Sequence, residues 1–120
     1  MLFLEEKYII LLKKMAEIGR LFPKDFDSKL KTWEYILIDF RTIEEKEYYG
    51  YIEWTHFLFD VYRPEVVSQI ASLDKSKKYL IYCFHWNRTQ SVLAYMSENN
   101  FTHVYDLVWW IEYWENYGYK

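Results

Sequence analysis

Two runs of four apolar residues constrain the fold of this chain more than any other feature. Residues 35–38 (Tyr-Ile-Leu-Ile) and residues 79–82 (Tyr-Leu-Ile-Tyr) do not alternate between an apolar and a charged face. Strands that are apolar on both faces are typical of parallel sheets buried between layers of helices. The chain is therefore predicted to be an α/β protein with a largely parallel central sheet of about five strands, flanked by helices on both faces.

The segments between these runs carry helical signals. Apolar residues recur there at helical spacing, and Pro64 lies where a helix can begin. Helices are predicted over residues 24–32, 43–49, 63–73, 88–98 and 108–117, and further short strands within residues 52–58 and around residues 103–105.

The N-terminal segment is predicted to be a separate helix. Residues 5–19 place apolar side chains at a helical period, and Gly19 is a plausible stop. We therefore divide the chain into an amphipathic helical extension, residues 1–20, and one domain, residues 21–120. The extension is either buried or covered by a partner. The candidate interfaces of a homodimer are this helix and an aromatic surface formed by the C-terminal side chains Trp109, Trp110, Tyr113, Trp114 and Tyr117.

Composition excludes several classes of function. The net charge is -3 and the basic residues are scattered, which disfavours a nucleic-acid partner. No apolar stretch approaches the roughly 18–20 residues that cross a bilayer, so no membrane partner is expected. The single cysteine excludes an internal disulfide framework, and no Cys/His pair has metal-ligand spacing. No metal or cofactor is expected, and a reducing, cytoplasmic location is the natural interpretation.

The single cysteine, Cys83, lies where the second apolar run ends and a predicted helix begins. A strand that turns directly into a helix leaves backbone N–H groups pointing into the connecting loop. The positive end of the helix dipole there favours a thiolate over a thiol. Cys83 is therefore a candidate nucleophile, and the alternative is a small buried residue at a strand end.

Asp39 ends the first apolar run as Cys83 ends the second. Because ligands bind beyond the carboxyl ends of parallel strands, both residues are expected at one edge of the sheet. Asp39 is either an organiser of the loop or an acid or base. Arg41 is interpreted as a structural ion-pair partner of Glu44 or Glu45.

Several ordered motifs resemble the rhodanese domain of the single-domain thiosulfate sulfurtransferase type. Residues 36–42 are similar to the family's hydrophobic strand followed by Asp, a hydrophobic residue, Arg and Thr, and residues 50–52 fall where the family has Gly-His-Ile. Residues 80–83 resemble the strand that leads to the active-site cysteine, and residues 87–89 resemble the end of its loop. Residues 101–107 match the short strand that follows, so the resemblance covers roughly residues 33–120.

The resemblance implies both a fold and a reaction. Cys83 would take the sulfane sulfur of thiosulfate, a persulfide or a polysulfide, as a persulfide that a thiol or cyanide then accepts. The sulfur donor would be a small molecule or a protein-bound group. The implied active-site loop consists of Cys83 and the residues that follow it, Phe84, His85, Trp86, Asn87 and Arg88.

Each loop residue has a structural alternative to a role in binding. His85 either neutralises a bound anion or caps the loop. Arg88 either contacts the anion or forms a structural salt bridge to Asp39 or a nearby Glu. Asn87 and Thr89 are expected to hydrogen-bond the loop backbone or to cap the helix.

Three tryptophans replace glycines of the family pattern: Trp86 in the loop, and Trp109 and Trp110 after the last short strand. They would narrow the pocket, wall it with aromatic rings or disturb the backbone cradle. A non-catalytic binding module is therefore an alternative function. A phosphatase or arsenate reductase is a further alternative. Cys83 and Arg88 enclose four residues, whereas the resembling phosphatase loops enclose five, so loop length favours sulfur transfer.

Overall fold

The computed structural model describes residues 16–83 and 88–108. Within these ranges five strands form one sheet, and four helices accompany it. The strands are β1 (Glu17–Leu21), β2 (Tyr35–Asp39), β3 (Phe57–Leu58), β4 (Lys78–Tyr82) and β5 (His103–Leu107). The helices are α1 (Pro23–Leu30), α2 (Ile43–Tyr49), α3 (Glu65–Ala71) and α4 (Arg88–Glu98).

The sheet is parallel at every pairing, in the order β1-β5-β4-β2-β3. The two predicted apolar runs are β4 and β2, which lie side by side in the middle of the sheet. Their positions explain the sequence pattern, because central strands covered by helices have no face in contact with water. The predicted α/β architecture with a parallel five-strand sheet is confirmed.

Side chains of successive strand residues point to opposite faces of the sheet, and two separate cores result. Ile38, Ile81 and Val104 face α3 and α4, and they pack with Val66 and Met96 of these helices. The opposite face carries the second core, whose members are Phe26, Leu30, Tyr35, Leu37, Ile52, Leu80, Tyr82 and Leu107. Helix α1 supplies Phe26 and Leu30 to that core, so helices cover both faces as predicted.

Local signals fix the ends of α2, the helix that follows β2. Thr42 accepts a hydrogen bond from the backbone N–H of Glu45, and the Glu45 carboxylate accepts one from the backbone N–H of Thr42. This reciprocal capping satisfies two N–H groups that the first helical turn leaves without partners. The helix ends at Gly50, whose φ of 81° is a conformation that glycine adopts at little cost.

The remaining boundaries agree closely with the sequence predictions. Helices α2 and α4 have the predicted bounds, and α1 differs by one or two residues at each end. The short strand predicted within residues 52–58 is β3. The predicted helix over residues 108–117 and most of the N-terminal helix lie outside the described residues.

The end of the predicted N-terminal helix is wrong. Residues 17–19 were expected to be helical, but they belong to β1, which pairs along its whole length with β5. A five-residue segment is too short for periodicity to separate a strand from the end of a helix. The partner strand, more than 80 residues away in the sequence, decides the conformation. The sheet thus includes residues on both sides of the domain boundary that the sequence places after residue 20, and that boundary stays a prediction.

Candidate active site

Cys83 directly follows β4, and its side chain is turned toward the face of the sheet that α4 covers. Only 6% of the residue is exposed. Its Sγ lies 3.7 Å from Oγ1 of Thr89, the second residue of α4. The strand-to-helix junction predicted from the sequence therefore brings the thiol against the first turn of a helix of 11 residues.

Thr89 connects Cys83 to a buried carboxylate. Its hydroxyl donates a hydrogen bond of 2.9 Å to Oδ2 of Asp106 in β5. Asp106 is fully buried and also accepts from Nε of Arg20, at 3.0 Å to Oδ1 and 3.1 Å to Oδ2. Arg20 and Asp106 are register partners on the neighbouring strands β1 and β5, so the parallel pairing itself places the two side chains together.

A second buried carboxylate, Asp39, ends β2 on the opposite face of the sheet. Its Oδ1 accepts hydrogen bonds from the backbone N–H and from Nε of Arg41, both at 2.9 Å. Its Oδ2 accepts from Nη2 of Arg41 at 2.8 Å. Both side chains are completely buried, and this bidentate ion pair fixes the orientation of the guanidinium group.

The Asp39–Arg41 pair holds the chain that follows α2. Nη2 of Arg41 also donates to the carbonyl of Gly50 at 2.7 Å. The hydroxyl of Tyr82 donates to Asp39 at 3.3 Å and accepts from the backbone N–H of Ile52 at the same distance. Burial, followed by the nearby Asp39 charge, raises the pKa of Tyr82, so this hydroxyl stays protonated.

Arg88 begins α4 and is bound by Glu45 of α2. Its Nη1 and Nη2 donate to the two carboxylate oxygens of Glu45 at 2.7 and 3.1 Å. Desolvation opposes the charged form of Arg88, but the hydrogen bond to Glu45 and the charge of Glu45 prevail and raise its pKa. Desolvation likewise acts to raise the pKa of Glu45, yet its hydrogen bonds to Arg88 and Thr42 leave that pKa below its ordinary value.

The structure brings four of the predicted site residues to one edge of the sheet: Asp39, Arg41, Cys83 and Arg88. The predicted partner of Arg41 is wrong, because Arg41 pairs with Asp39 rather than with Glu44 or Glu45. Glu45 is instead the partner of Arg88, which agrees with the predicted structural salt bridge to a nearby Glu. The remaining predicted site residues lie outside the described residues, and they are Phe84, His85, Trp86, Asn87, Trp109 and Trp110.

Asp106 and Arg20 were not predicted as site residues. Asp106 is the one Asp, Glu, Lys or Arg in β5, and it lies directly after the short strand predicted around residues 103–105. That signal was available, since a buried charge needs a partner. Arg20 had no local signal, because its role depends on the pairing of β1 with β5.

The described part of the chain has no group of three His, Cys, Asp or Glu side chains that could hold a metal ion. Among the same residues, none of the helices has the length and apolar character that a membrane span requires.

Solved structures with the same fold are known from several microorganisms. A rhodanese-related protein from Thermoplasma volcanium superposes with a TM-score of 0.72 at 22% identity, covering 85% of this chain and 95% of its own. The polysulfide-sulfur transferase homodimer from Wolinella succinogenes gives 0.69 at 20% identity, covering 95% and 83%. A rhodanese-like domain protein from Staphylococcus aureus gives 0.67 at 21% identity, covering 81% and 91%.

Sequence comparison points to the same family. A tRNA sulfurtransferase from Haemophilus influenzae (strain 86-028NP) is 30% identical over 69 residues, which is 58% of this chain and 14% of that protein. The chain therefore spans about a seventh of the length of this curated relative. The family model for the rhodanese-like domain matches residues 22–117. With the cysteine at the strand-to-helix junction inside this match, the chain belongs to the rhodanese-like domain family.

Proposed function

We propose that this chain is a sulfurtransferase that carries sulfane sulfur on Cys83. One observation carries the proposal: the buried sulfur of Cys83 lies at the end of β4, against the first turn of α4, inside the span that matches the family. The thiolate is the nucleophilic form of cysteine. The sulfur lies against the N-terminal end of α4, which is the positive end of the helix dipole, and Arg88 is the first residue of that helix.

The reaction has two balanced steps. The Cys83 thiolate attacks the outer sulfur of thiosulfate, an S–S bond forms to Cys83, and sulfite leaves with the electron pair of the broken bond. A thiolate or cyanide then attacks the outer sulfur of the persulfide. The new bond yields a low-molecular-weight persulfide or thiocyanate, and the Cys83 thiolate is released. A polysulfide or persulfide donor enters by the same first step with a shorter sulfur chain or a thiolate as the leaving group.

The loop after Cys83 is the proposed binding surface for the transferred sulfur. Backbone N–H groups preorganised around an anion would stabilise the persulfide, and residues 84–87 would supply them. In this proposal Trp86, Trp109 and Trp110 would wall the site and would favour an apolar or protein-bound donor over free thiosulfate. The name of the polysulfide-sulfur transferase supports a polysulfide as the donor.

Mass spectrometry of the intact protein tests this function. After incubation with thiosulfate or with a polysulfide, the wild-type chain should gain about 32 Da, the mass of one sulfur atom in a persulfide. The Cys83→Ser variant should show no gain, and cyanide should remove the gain and release thiocyanate. We expect the polysulfide to load Cys83 faster than thiosulfate does.

No adduct with either donor, from a folded protein whose Cys83 is alkylated by iodoacetamide, would contradict sulfur transfer and support a rhodanese-like binding module. Turnover of p-nitrophenyl phosphate would instead support a phosphatase. The Arg88 geometry argues against that outcome, because Glu45 binds both terminal nitrogens of the guanidinium fork that phosphate recognition uses.

Self-association is part of the proposal, through the helix that the sequence predicts at the N-terminus or through the aromatic surface. The Wolinella succinogenes protein of the same fold is a homodimer. Among the described residues, Trp33 and Trp54 form a further exposed aromatic pair, T-shaped with ring centroids 5.0 Å apart, that a second copy of the chain could contact. Sedimentation equilibrium of the wild-type chain and of a Trp33→Ser/Trp54→Ser variant would show whether a dimer exists and whether this pair contributes to it.

A further inference from the structure

Four side chains form a continuous line from the nucleophile to the edge of the sheet. Cys83 contacts Thr89, Thr89 donates to Asp106, and Asp106 accepts from Arg20. The first three residues are buried, whereas the Arg20 side chain is 32% exposed. The line therefore connects the sulfur to a charge that water reaches, through contacts of 3.7, 2.9 and 3.0 Å.

The hydroxyl of Thr89 has one proton, and its direction follows from chemistry. An ionised carboxylate only accepts hydrogen bonds, so in the contact with Asp106 the proton belongs to the Thr89 hydroxyl. The oxygen of Thr89 then presents lone pairs to Cys83. In this arrangement the sulfur can donate an S–H to Thr89 but can receive no hydrogen bond from it. The arrangement suits the thiol and leaves a thiolate without this donor.

A thiolate or a persulfide anion needs the opposite direction. The Thr89 hydroxyl can rotate to donate to the sulfur only by leaving Asp106. Arg20 makes this rotation less costly, because its Nε neutralises Asp106 and keeps hydrogen bonds to both carboxylate oxygens. Without Arg20, Asp106 would hold the Thr89 proton more strongly and would repel a negative sulfur.

Other charges around Cys83 act on the sulfur by different routes. On α4, Arg88 is near enough to attract the thiolate, and it is bound to Glu45. On the neighbouring strand β2, Asp39 is paired with Arg41 on the opposite face of the sheet. Helix α3 contributes the apolar Val66 and Ile70 to the face that carries Cys83. Asp106 on β5 differs from these groups, because it is hydrogen-bonded to Thr89, whose hydroxyl contacts the sulfur.

We propose that Arg20 and Asp106 are positioning residues that set the reactivity of Cys83 by controlling the direction of the Thr89 hydroxyl. The importance of this control for sulfur transfer rests on the proposed function, but the control itself concerns any reaction of the thiolate. Arg20 precedes the span that matches the family, residues 22–117, so the sequence of β1 supplies this element of the site.

The pH profile of alkylation by iodoacetamide tests the proposal on the full chain without any sulfur donor. Arg20→Gln should move the midpoint for modification of Cys83 upward by about one pH unit, which is roughly a tenfold slower reaction at a fixed pH below both midpoints. Asp106→Asn should move the midpoint downward, because the neutral amide competes less for the Thr89 proton. Arg63→Gln, which removes an exposed arginine elsewhere on the surface, should leave the profile unchanged.

A Thr89→Val background separates control through the hydroxyl from simple charge effects. In the Thr89→Val background, Arg20→Gln should shift the midpoint of alkylation by less than half as much as it does in the wild-type chain. In a Thr89→Ser background, which keeps the hydroxyl, Arg20→Gln should produce the full shift. An Arg20→Gln shift of the same size with and without the Thr89 hydroxyl would overturn the proposal. So would shifts in the same direction for Arg20→Gln and Asp106→Asn. If Asp106→Asn fails to fold, the Arg20 and Thr89 variants decide the question alone.

The outcome is distinguishable from that of the proposed function. If Arg20→Gln alters the alkylation profile but the wild-type chain gains no mass of about 32 Da, which is one sulfur atom, then the control of Cys83 is supported and sulfur transfer is contradicted. If the wild-type chain forms the adduct but Arg20→Gln leaves the alkylation profile unchanged, then sulfur transfer is supported and the control of Cys83 is contradicted.

Discussion

Two carboxylate–arginine pairs lie on either side of β4, and they differ in what surrounds them. Asp39 and Arg41 are both completely buried, and they bind backbone groups and Tyr82 on the α1 face of the sheet. Asp106 is equally buried, but its partner Arg20 is partly exposed, and it binds Thr89 on the α4 face. The Asp39–Arg41 pair thus binds mainly backbone groups, whereas the Arg20–Asp106 pair binds a side chain that contacts the sulfur of Cys83.

This difference teaches that burial of a carboxylate does not by itself indicate its role. The Asp39–Arg41 pair, which we call the closed pair, forms hydrogen bonds that define the path of the chain. Removal of one of its two partners leaves an uncompensated charge in the core. In the Arg20–Asp106 pair, which we call the open pair, the arginine can be solvated when the carboxylate is lost, and the carboxylate accepts the hydrogen bond of the Thr89 hydroxyl. We therefore expect the first pair to control stability and the second to control reactivity.

The largest expected effect breaks the closed pair. Asp39→Asn should lower the free energy of unfolding by about 3–5 kcal/mol, because it leaves the Arg41 charge buried without a counter-charge. Asp106→Asn should cost only about 1 kcal/mol, the net value of one ordinary hydrogen bond, since Arg20 can turn to water. Urea denaturation followed by circular dichroism measures both. Equal losses for the two variants would contradict the distinction between the pairs.

A smaller effect is expected where the closed pair meets β4. Tyr82→Phe removes a hydroxyl that donates to Asp39 and accepts from the backbone N–H of Ile52. The variant should lose about 1–3 kcal/mol of stability, because a buried N–H then lacks this partner. Its alkylation profile at Cys83 should match that of the wild-type chain. A large shift in that profile would mean that the α1 face also controls the sulfur.

The smallest expected effect concerns the ion pair between Glu45 of α2 and Arg88 of α4. Glu45 is bound to Arg88, and its pKa in the folded chain is below the ordinary value of 4.5. A lowered folded-state pKa means that the pair contributes stability above the unfolded pKa and loses it as the pH falls through the folded pKa. The wild-type chain should therefore lose stability below about pH 4.5.

Glu45→Gln should remove this part of the acid dependence and lower the stability at neutral pH. The matched control is Glu44→Gln, whose side chain is exposed one position earlier in the same helix. Thermal unfolding at several pH values between acid and neutral gives the comparison. The same acid dependence in the Glu45 variant as in the Glu44 variant would contradict a stabilising role of the pair with Arg88.

Much of the fold was predictable because its signals are local. The continuous apolar runs of β2 and β4 indicate burial on both faces. Thr42 and Gly50, which bound α2, are residue types that commonly begin and end helices. The position of Cys83 followed from the same signals, since a strand and a helix predicted in succession define the junction between them.

The pairing of charges was less predictable because it is tertiary. Glu44 and Glu45 are near Arg41 in the sequence, and this proximity suggested the wrong partner. The geometry after β2 turns Arg41 back onto Asp39, while α4 brings Arg88 to Glu45 from 43 residues away. The pairing of Arg20 with Asp106 depends on a strand that periodicity misread as the end of a helix.

The edge position of β1 has a consequence for how the chain can be shortened. A chain that begins at residue 22, where the family match begins, would lack β1 and would expose one side of β5 along five residues. Unpaired N–H and C=O groups on such a strand are a template for pairing with other molecules. Such a shortened chain should aggregate through β5, so the solubility of the domain depends on residues that precede the span of the family match.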